Sequence, residues 1–236
     1  MAFSHSKGTV VLVDKHDLSC YLNSADYGRT ADSHDTTTLC QENRTYQAGL
    51  KDGTASLAGL FDGDADAVDQ VLDGILGGPS QIVTVGVESM APGKVCRLFK
   101  AIESDYNVSS PVGDMVSVDA SMQADGGILR GVALQPPTAL TGTGNGSSVD
   151  HGASTANGGV AHLHVIEFTG ASGGVKIQHS ADGNTWTDLV TFATLSAAGV
   201  ERVEVPAGTT VNRYLRAARS SGTFTSITHA VAFARR

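Results

Sequence analysis

The chain has 236 residues, 28 of them Gly, with 6% aromatic and 17% charged residues, a composition of many short strands joined by tight turns and long enough for two β domains. Its formal net charge of −8 is uneven: residues 1–135 carry nine Lys or Arg against eighteen Asp or Glu, and residues 136–236 carry seven against six. An acidic first half argues against tight nucleic-acid binding, and the lack of any apolar stretch of ~20 residues or of a charged-then-apolar start predicts neither membrane span nor signal peptide.

In chain order, segments 8–13, 54–61, 81–87, 95–106 and 114–123 read as strands. Between the first two lies a polar stretch, Ser24 to Gly49, with Asp26, Asp32, Asp35, Arg29, Arg44 and the run Thr36-Thr37-Thr38. It has no apolar periodicity to bury it in its own domain, so it reads as a long loop that an outside partner orders. In 54–61, Leu57, Gly59 and Phe61 fall on one face and Thr54, Ser56 and Ala58 on the other. Asp62-Gly63 ends the strand, and Asp64 is the predicted N-cap of the chain's one convincing helix. Ala65, Val68, Val71, Leu72, Ile75 and Leu76 form its apolar stripe, and Gly77-Gly78-Pro79 stops it. The strand at 114–123 alternates cleanly, with Val116, Val118, Ala120 and Met122 against Ser117, Asp119 and Ser121.

Three stretches carry a resemblance: Lys7-Gly8-Thr9-Val10-Val11-Leu12-Val13-Asp14 with Asp17-Leu18-Ser19-Cys20-Tyr21-Leu22-Asn23, then Gly49 to Asp69, then Ala101 to Asp114 with Val116-Ser117-Val118-Asp119-Ala120. Residues 1–135 resemble the tail tube (major tail) protein of long-tailed, non-contractile bacteriophages. The resemblance is of pattern and wording and contains no chemical motif. It implies a β-barrel or sandwich with one flanking helix, whose copies form six-fold rings that stack into a conduit for DNA. In that family the region matching 24–49 is an extended hairpin and loop reaching neighbouring subunits, which makes Asp32, Asp35, Thr36, Thr37, Thr38 and Arg44 inter-subunit candidates. The polar strand faces, Thr54, Ser56, Ser117, Asp119 and Ser121, are lumen candidates. An acidic lumen would repel the duplex and let it slide; the alternative is acid on the outside that only keeps the protein soluble.

Pro136-Pro137 then breaks the strand pattern, and Thr141 to Gly159 is rich in Gly, Ser, Thr and Asn: a linker, or a linker with a weak first strand near Ser147–Asp150. Strands follow near 160–169, 174–180, 186–193, 200–205, 212–219 and 223–234. Val175 to Val190 reads as a hairpin with Asp182-Gly183 at its tip. The phrase Gln178-His179-Ser180-Ala181-Asp182-Gly183-Asn184-Thr185-Trp186 resembles β-sandwich appendages at the C-termini of phage structural proteins and, more loosely, galactose-binding-like sandwiches. Trp186 is then either a sugar-stacking residue or, as the lack of an aromatic platform favours, a packing residue.

Other clusters look like chemistry without supporting it. Asp62, Asp64, Asp66 and Asp73 have calcium-loop spacing, but Ala67 replaces the needed Gly and Asp73 the usual Glu. His162 and His164 share a strand face with no third ligand in view. Cys20, Cys40 and Cys96 lack a Cys-x-x-Cys and read as free thiols of a reducing compartment. Nucleophile elbow, zincin and phosphate-loop motifs are missing. The sequence therefore predicts a structural protein and no enzyme, with no cofactor and no metal. Its expected architecture is mainly β, with a tail tube domain at 1–136, a linker at 137–159 and a β-sandwich decoration domain at 160–236 that projects outward. Expected partners are further copies of itself, a tape-measure protein, tail terminator and distal tail proteins, and passing double-stranded DNA, with no membrane. The expected place is the virion tail, assembled in the host cytoplasm. A capsid-surface decoration protein and a carbohydrate-binding module of a phage adhesion protein are the rival readings.

Overall fold

The structure is a computed structural model that describes residues 6–236. It is mainly β, with one α-helix and a 3-10 turn at Ser6–Gly8 among the described residues. The chain forms two compact units that interleave along the sequence: a larger one of Met1–Tyr21, Gln81–Leu98 and Leu129–Arg236, and a smaller one of Leu22–Ser80 and Phe99–Ile128. This grouping differs from the linear division at 1–136, 137–159 and 160–236. Two long strands, β6 (Val95–Ser109) and β7 (Ser117–Leu140), each contribute residues to both units.

The larger unit holds β1 (Val10–Val13), β2 (His16–Asp17) and β5 (Gln81–Gly86), with β1 antiparallel to both others. Its main ribbon is β10 (Gly159–Ser180) against β13 (Tyr214–Arg235), antiparallel from Gly159↔Arg235 to Ser180↔Tyr214. Each is a single strand where two were expected. The breaks predicted near 170–173 and 220–222 are register shifts within the ladder, and Gly residues make them possible. Gly222 sits at φ +116, and a Cβ there would meet the Ser172 carbonyl oxygen at 2.3 Å. The outer flanks of β10 pair with β12 (Gly199–Val205) and β11 (Thr187–Thr191), the latter forming the expected Asp182-Gly183 hairpin.

On its other side β13 pairs with β7, Ile227↔Leu140 to Phe233↔Val132, and with two short strands, β8 (Gly144–Asn145) and β9 (Val149–Asp150). Pro136-Pro137 does not end β7. The ladder steps from His229↔Thr138 to Val231↔Gln135, so both prolines fall in a bulge where no backbone N–H is required. One buried cluster joins Leu134, Leu163, Ile177, Leu215 and Phe233 among others, and a second joins Leu12, Cys96, Leu98 and Ala133 to Ala230, Ala232 and Ala234. The stretch after residue 137 thus shares its cores with strands from the start and middle of the chain.

In the smaller unit β3 (Leu22–Asp35) pairs with β4 (Tyr46–Leu60), and β4 pairs with β7 from Thr54↔Gln123 to Leu60↔Ser117. The helix α1 (Val68–Ile75) buries Val68, Val71 and Leu72; Leu76 and Ala65 of the predicted stripe are exposed. Its N-cap is Ala67, not Asp64. The aspartates instead build a turn: the Asp64 N–H donates to Asp62 Oδ1 at 3.0 Å, the Ala67 N–H to the Asp64 carbonyl at 3.1 Å, and the Asp66 N–H to Gln70 Oε1 at 2.7 Å.

Candidate assembly surface

The sequence pattern along β4 and β7 becomes a two-faced sheet. Gly53, Ala55, Leu57 and Gly59 are buried on one side, as are Val118, Ala120 and Met122. The opposite face presents the hydroxyl and carboxylate side chains in cross-strand register: Thr54 faces Gln123, Ser56 faces Ser121, Ala58 faces Asp119 and Leu60 faces Ser117. The structure therefore brings Thr54, Ser56, Ser117, Asp119 and Ser121 onto one surface. From β3, Asp26 stands opposite Ser56, and Ser24 Oγ donates to its carboxylate at 2.7 Å. From β6, Ser104 Oγ donates to the Ser121 carbonyl at 3.1 Å. Asp26, Gly28, Thr54, Ser56, Ser104, Ser121 and Gln123 line a shallow groove of about 440 Å³ on this face. Lys100 forms a 2.7 Å ion pair with Asp125, and among the described residues no ion pair reaches Asp26 or Asp119.

The segment 24–49 is a β-hairpin, which corrects the loop reading. The β3–β4 ladder runs from Leu22↔Gly59 to Asp35↔Tyr46, so the inward-facing backbone groups of both strands pair within the chain and the hairpin forms without a partner. Polar side chains close the tip. The Thr37 N–H donates to Asp35 Oδ1 at 2.8 Å, the Thr45 N–H to Thr37 Oγ1 at 3.0 Å, and the Thr38 N–H to Gln41 Oε1 at 3.0 Å. Bonds from Thr37 hold the Asp35 carboxyl below its ordinary range. Every residue from 28 to 48 is exposed, including Asp32, Thr36, Leu39, Arg44 and Tyr46. The eight β3 residues 28–35 make an arm of roughly 25 Å at strand rise. Its other edge is open, because β3 pairs only with β4 among the described residues.

Sequence reasoning missed one residue. Glu103 lies on the buried side of β6, 1% exposed, and neither carboxylate oxygen has a hydrogen-bond partner. Burial, reinforced by Asp73, pushes its carboxyl up to about 8. The signal was its inward parity with Ala101 in the strand at 95–106.

In the larger unit, His162 and His164 are fully buried around one hydroxyl. Thr84 Oγ1 lies 2.9 Å from His162 Nδ1 and 2.8 Å from His164 Nε2; Arg202 Nη1 lies 2.9 Å from His162 Nε2, and His164 Nδ1 is 2.6 Å from the Asp14 carbonyl. Arginine only donates and a carbonyl only accepts, so the direction is fixed: Arg202 to His162, His162 to Thr84, Thr84 to His164, His164 to Asp14. Both rings are neutral and all four ring nitrogens are engaged. Burial lowers both, His164 to about 4. Trp186 donates from Nε1 to the Gly183 carbonyl at 3.2 Å, and the Arg216 guanidinium lies 4.1 Å over its ring, so one face is occupied from within. Cys20 and Cys40 are exposed free thiols and Cys96 a buried one.

No family model and no curated protein matches this chain. Among solved structures it is similar to a chain of the virion of a native gene transfer agent particle, with 18% identity over 53% of this chain and 97% of that one, at a TM-score of 0.46. A chain of the SPP1 tail tube shares 11% identity over 54% of this chain and 78% of that one, TM-score 0.43. The SPP1 Dit protein shares 11% over 96% and 98%, TM-score 0.37.

Proposed function

We propose that this chain is a structural subunit of a phage tail tube, which closes into rings and stacks them into a conduit for DNA. The observation that carries this reading is the two-faced sheet of the smaller unit, apolar on one side and lined by Thr54, Ser56, Ser117, Asp119 and Ser121 on the other. A sheet with one buried face must turn its second face to a lumen, a neighbour or solvent. The sequence resemblance of residues 1–135 favours the lumen. Hydroxyls suit a wall past which a polyanion slides because they offer no cation to hold it, and carboxylates because their repulsion is felt over ~8–10 Å at physiological salt.

Ring closure follows from the open edge of β3, a 14-residue strand of the kind that templates pairing with another chain. A heterologous contact of this type closes into a ring when its rotation divides a full turn, six-fold in the resembling family. The arm with Asp32, Asp35, Thr36, Thr37, Thr38 and Arg44 then reaches the next copy. Tape-measure, terminator and distal tail proteins are its further partners in the virion tail, assembled in the host cytoplasm. The rival glycan-binding reading is less well supported, because Arg216 occupies one face of Trp186.

Asp119→Lys tests the lumen assignment in assembled phage. One added cation per subunit should slow DNA ejection while tubes form normally. Unchanged ejection, or a tube map with residues 117–121 on the outer wall, contradicts it.

A further inference from the structure

Glu103 is a buried carboxyl with nothing to hold it. Native proteins pair such groups, because an unpartnered buried charge is costly to keep. What surrounds it is more acid. Asp73 of α1 acts on it directly, and the Tyr106 phenol donates to Asp69 Oδ1 at 2.7 Å while held up by burial and by Asp69, Asp73 and Glu103. Residues 52–80 contain six Asp and no Lys or Arg, so this stretch offers no cation. A metal ion fits poorly, since among the described residues no three His, Cys, Asp or Glu side chains stand in ligating positions.

The same unit carries the complement on its arm. Arg29, Arg44 and Lys51 are exposed and have no ion pair or hydrogen bond among the described residues. Arg44 stands at the tip, beyond the Asp35↔Tyr46 end of the ladder. We propose that Glu103, rimmed by Asp69 and Asp73, is the seat for a guanidinium of a second copy of this chain, and that Arg44 of the arm supplies it. This rests on the self-assembly reading above and names its contact. An incoming guanidinium meets exposed Asp73 first and reaches Glu103 when the rim side chains rotate. There its planar fork gives both orphan oxygens donors and favours the ionised form of Glu103, so that one cation offsets three carboxylates. Because seat and arm are different surfaces of one chain, the contact is heterologous and repeats from copy to copy.

The test is a double-mutant cycle on the full chain, with Glu103→Gln, Arg44→Gln and both together. The critical concentration for assembly is read by sedimentation and electron microscopy, and the fold is checked by circular dichroism. Each single change should raise the critical concentration about tenfold or more, as loss of one partner of a buried charge pair does. The double variant should be no worse than the poorer single. Glu103→Gln should also melt higher than wild type as a free subunit at pH 8, an opposite sign that a purely structural glutamate does not give. Additive effects, or an unaffected Glu103→Gln, overturn this contact while wild-type tubes leave the assembly reading standing. A wild-type chain that never assembles overturns both.

Discussion

Thr84, a single hydroxyl, serves two buried histidines, and its removal should show what a fixed hydrogen-bond direction is worth. Thr84→Val keeps the shape but leaves His162 Nδ1–H and His164 Nε2 unpaired, a cost of about 2–4 kcal/mol in urea unfolding; Thr84→Ser should cost much less. The pH dependence follows from the same groups. His164 titrates near 6.5 when unfolded and at about 4 when folded, so the unfolded chain binds more protons. Its contribution is complete above pH 6.5 and is lost as pH falls toward 4. Glu103 runs the other way: its ordinary 4.5 rises to about 8, so its penalty is absent below 4.5 and grows until about 8. Thermal melts from pH 4 to 9 should therefore show stability falling at both ends. Glu103→Gln should flatten the alkaline side, and an alkaline limb unchanged by it would contradict the assignment.

At the scale of elements, the hairpin β3–β4 is held by its own ladder and by turn bonds from Asp35, Thr37 and Gln41. Deleting Asp32 to Asn43 should leave both units folded, with a melting temperature within a few degrees of wild type, and should abolish tubes. Normal tubes from the deletion would remove the arm from the assembly. Much of this element level was legible in sequence. The alternation of Val116, Val118, Ala120 and Met122 gave the face of β7, and Thr54, Ser56 and Ala58 the face of β4, because one buried side imposes a period of two. The helix start was misread because Asp64 is an equally good turn former, and Gln70 reaches back to settle the competition. Pro136-Pro137 misled for a related reason: proline excludes a ladder hydrogen bond but not a bulge. Segment 24–49 showed no core pattern because a hairpin exposed on both faces needs none.

For the whole molecule, the interleaved units were beyond reach of local pattern. Nothing near Leu12, Leu98 or Ala133 says that their neighbours are Ala230, Ala232 and Ala234; long-range register decides that. The consequence is direct. Truncation after Gln135 removes β10 to β13 and with them all but Leu134 of one buried cluster of the larger unit and Ala230, Ala232 and Ala234 of the other, so the fragment should be unfolded or aggregated there, by circular dichroism and limited proteolysis, not a thinner-walled tube. A soluble, cooperatively melting fragment would contradict the interleaving. The central claim is self-assembly through the smaller unit, and electron microscopy of the concentrated full-length protein, with helical reconstruction, tests it most directly. The account predicts closed rings and stacked tubes whose inner wall carries Thr54, Ser56, Ser117, Asp119 and Ser121. A protein that remains monomeric at every concentration, or tubes with that face turned outward, would contradict it.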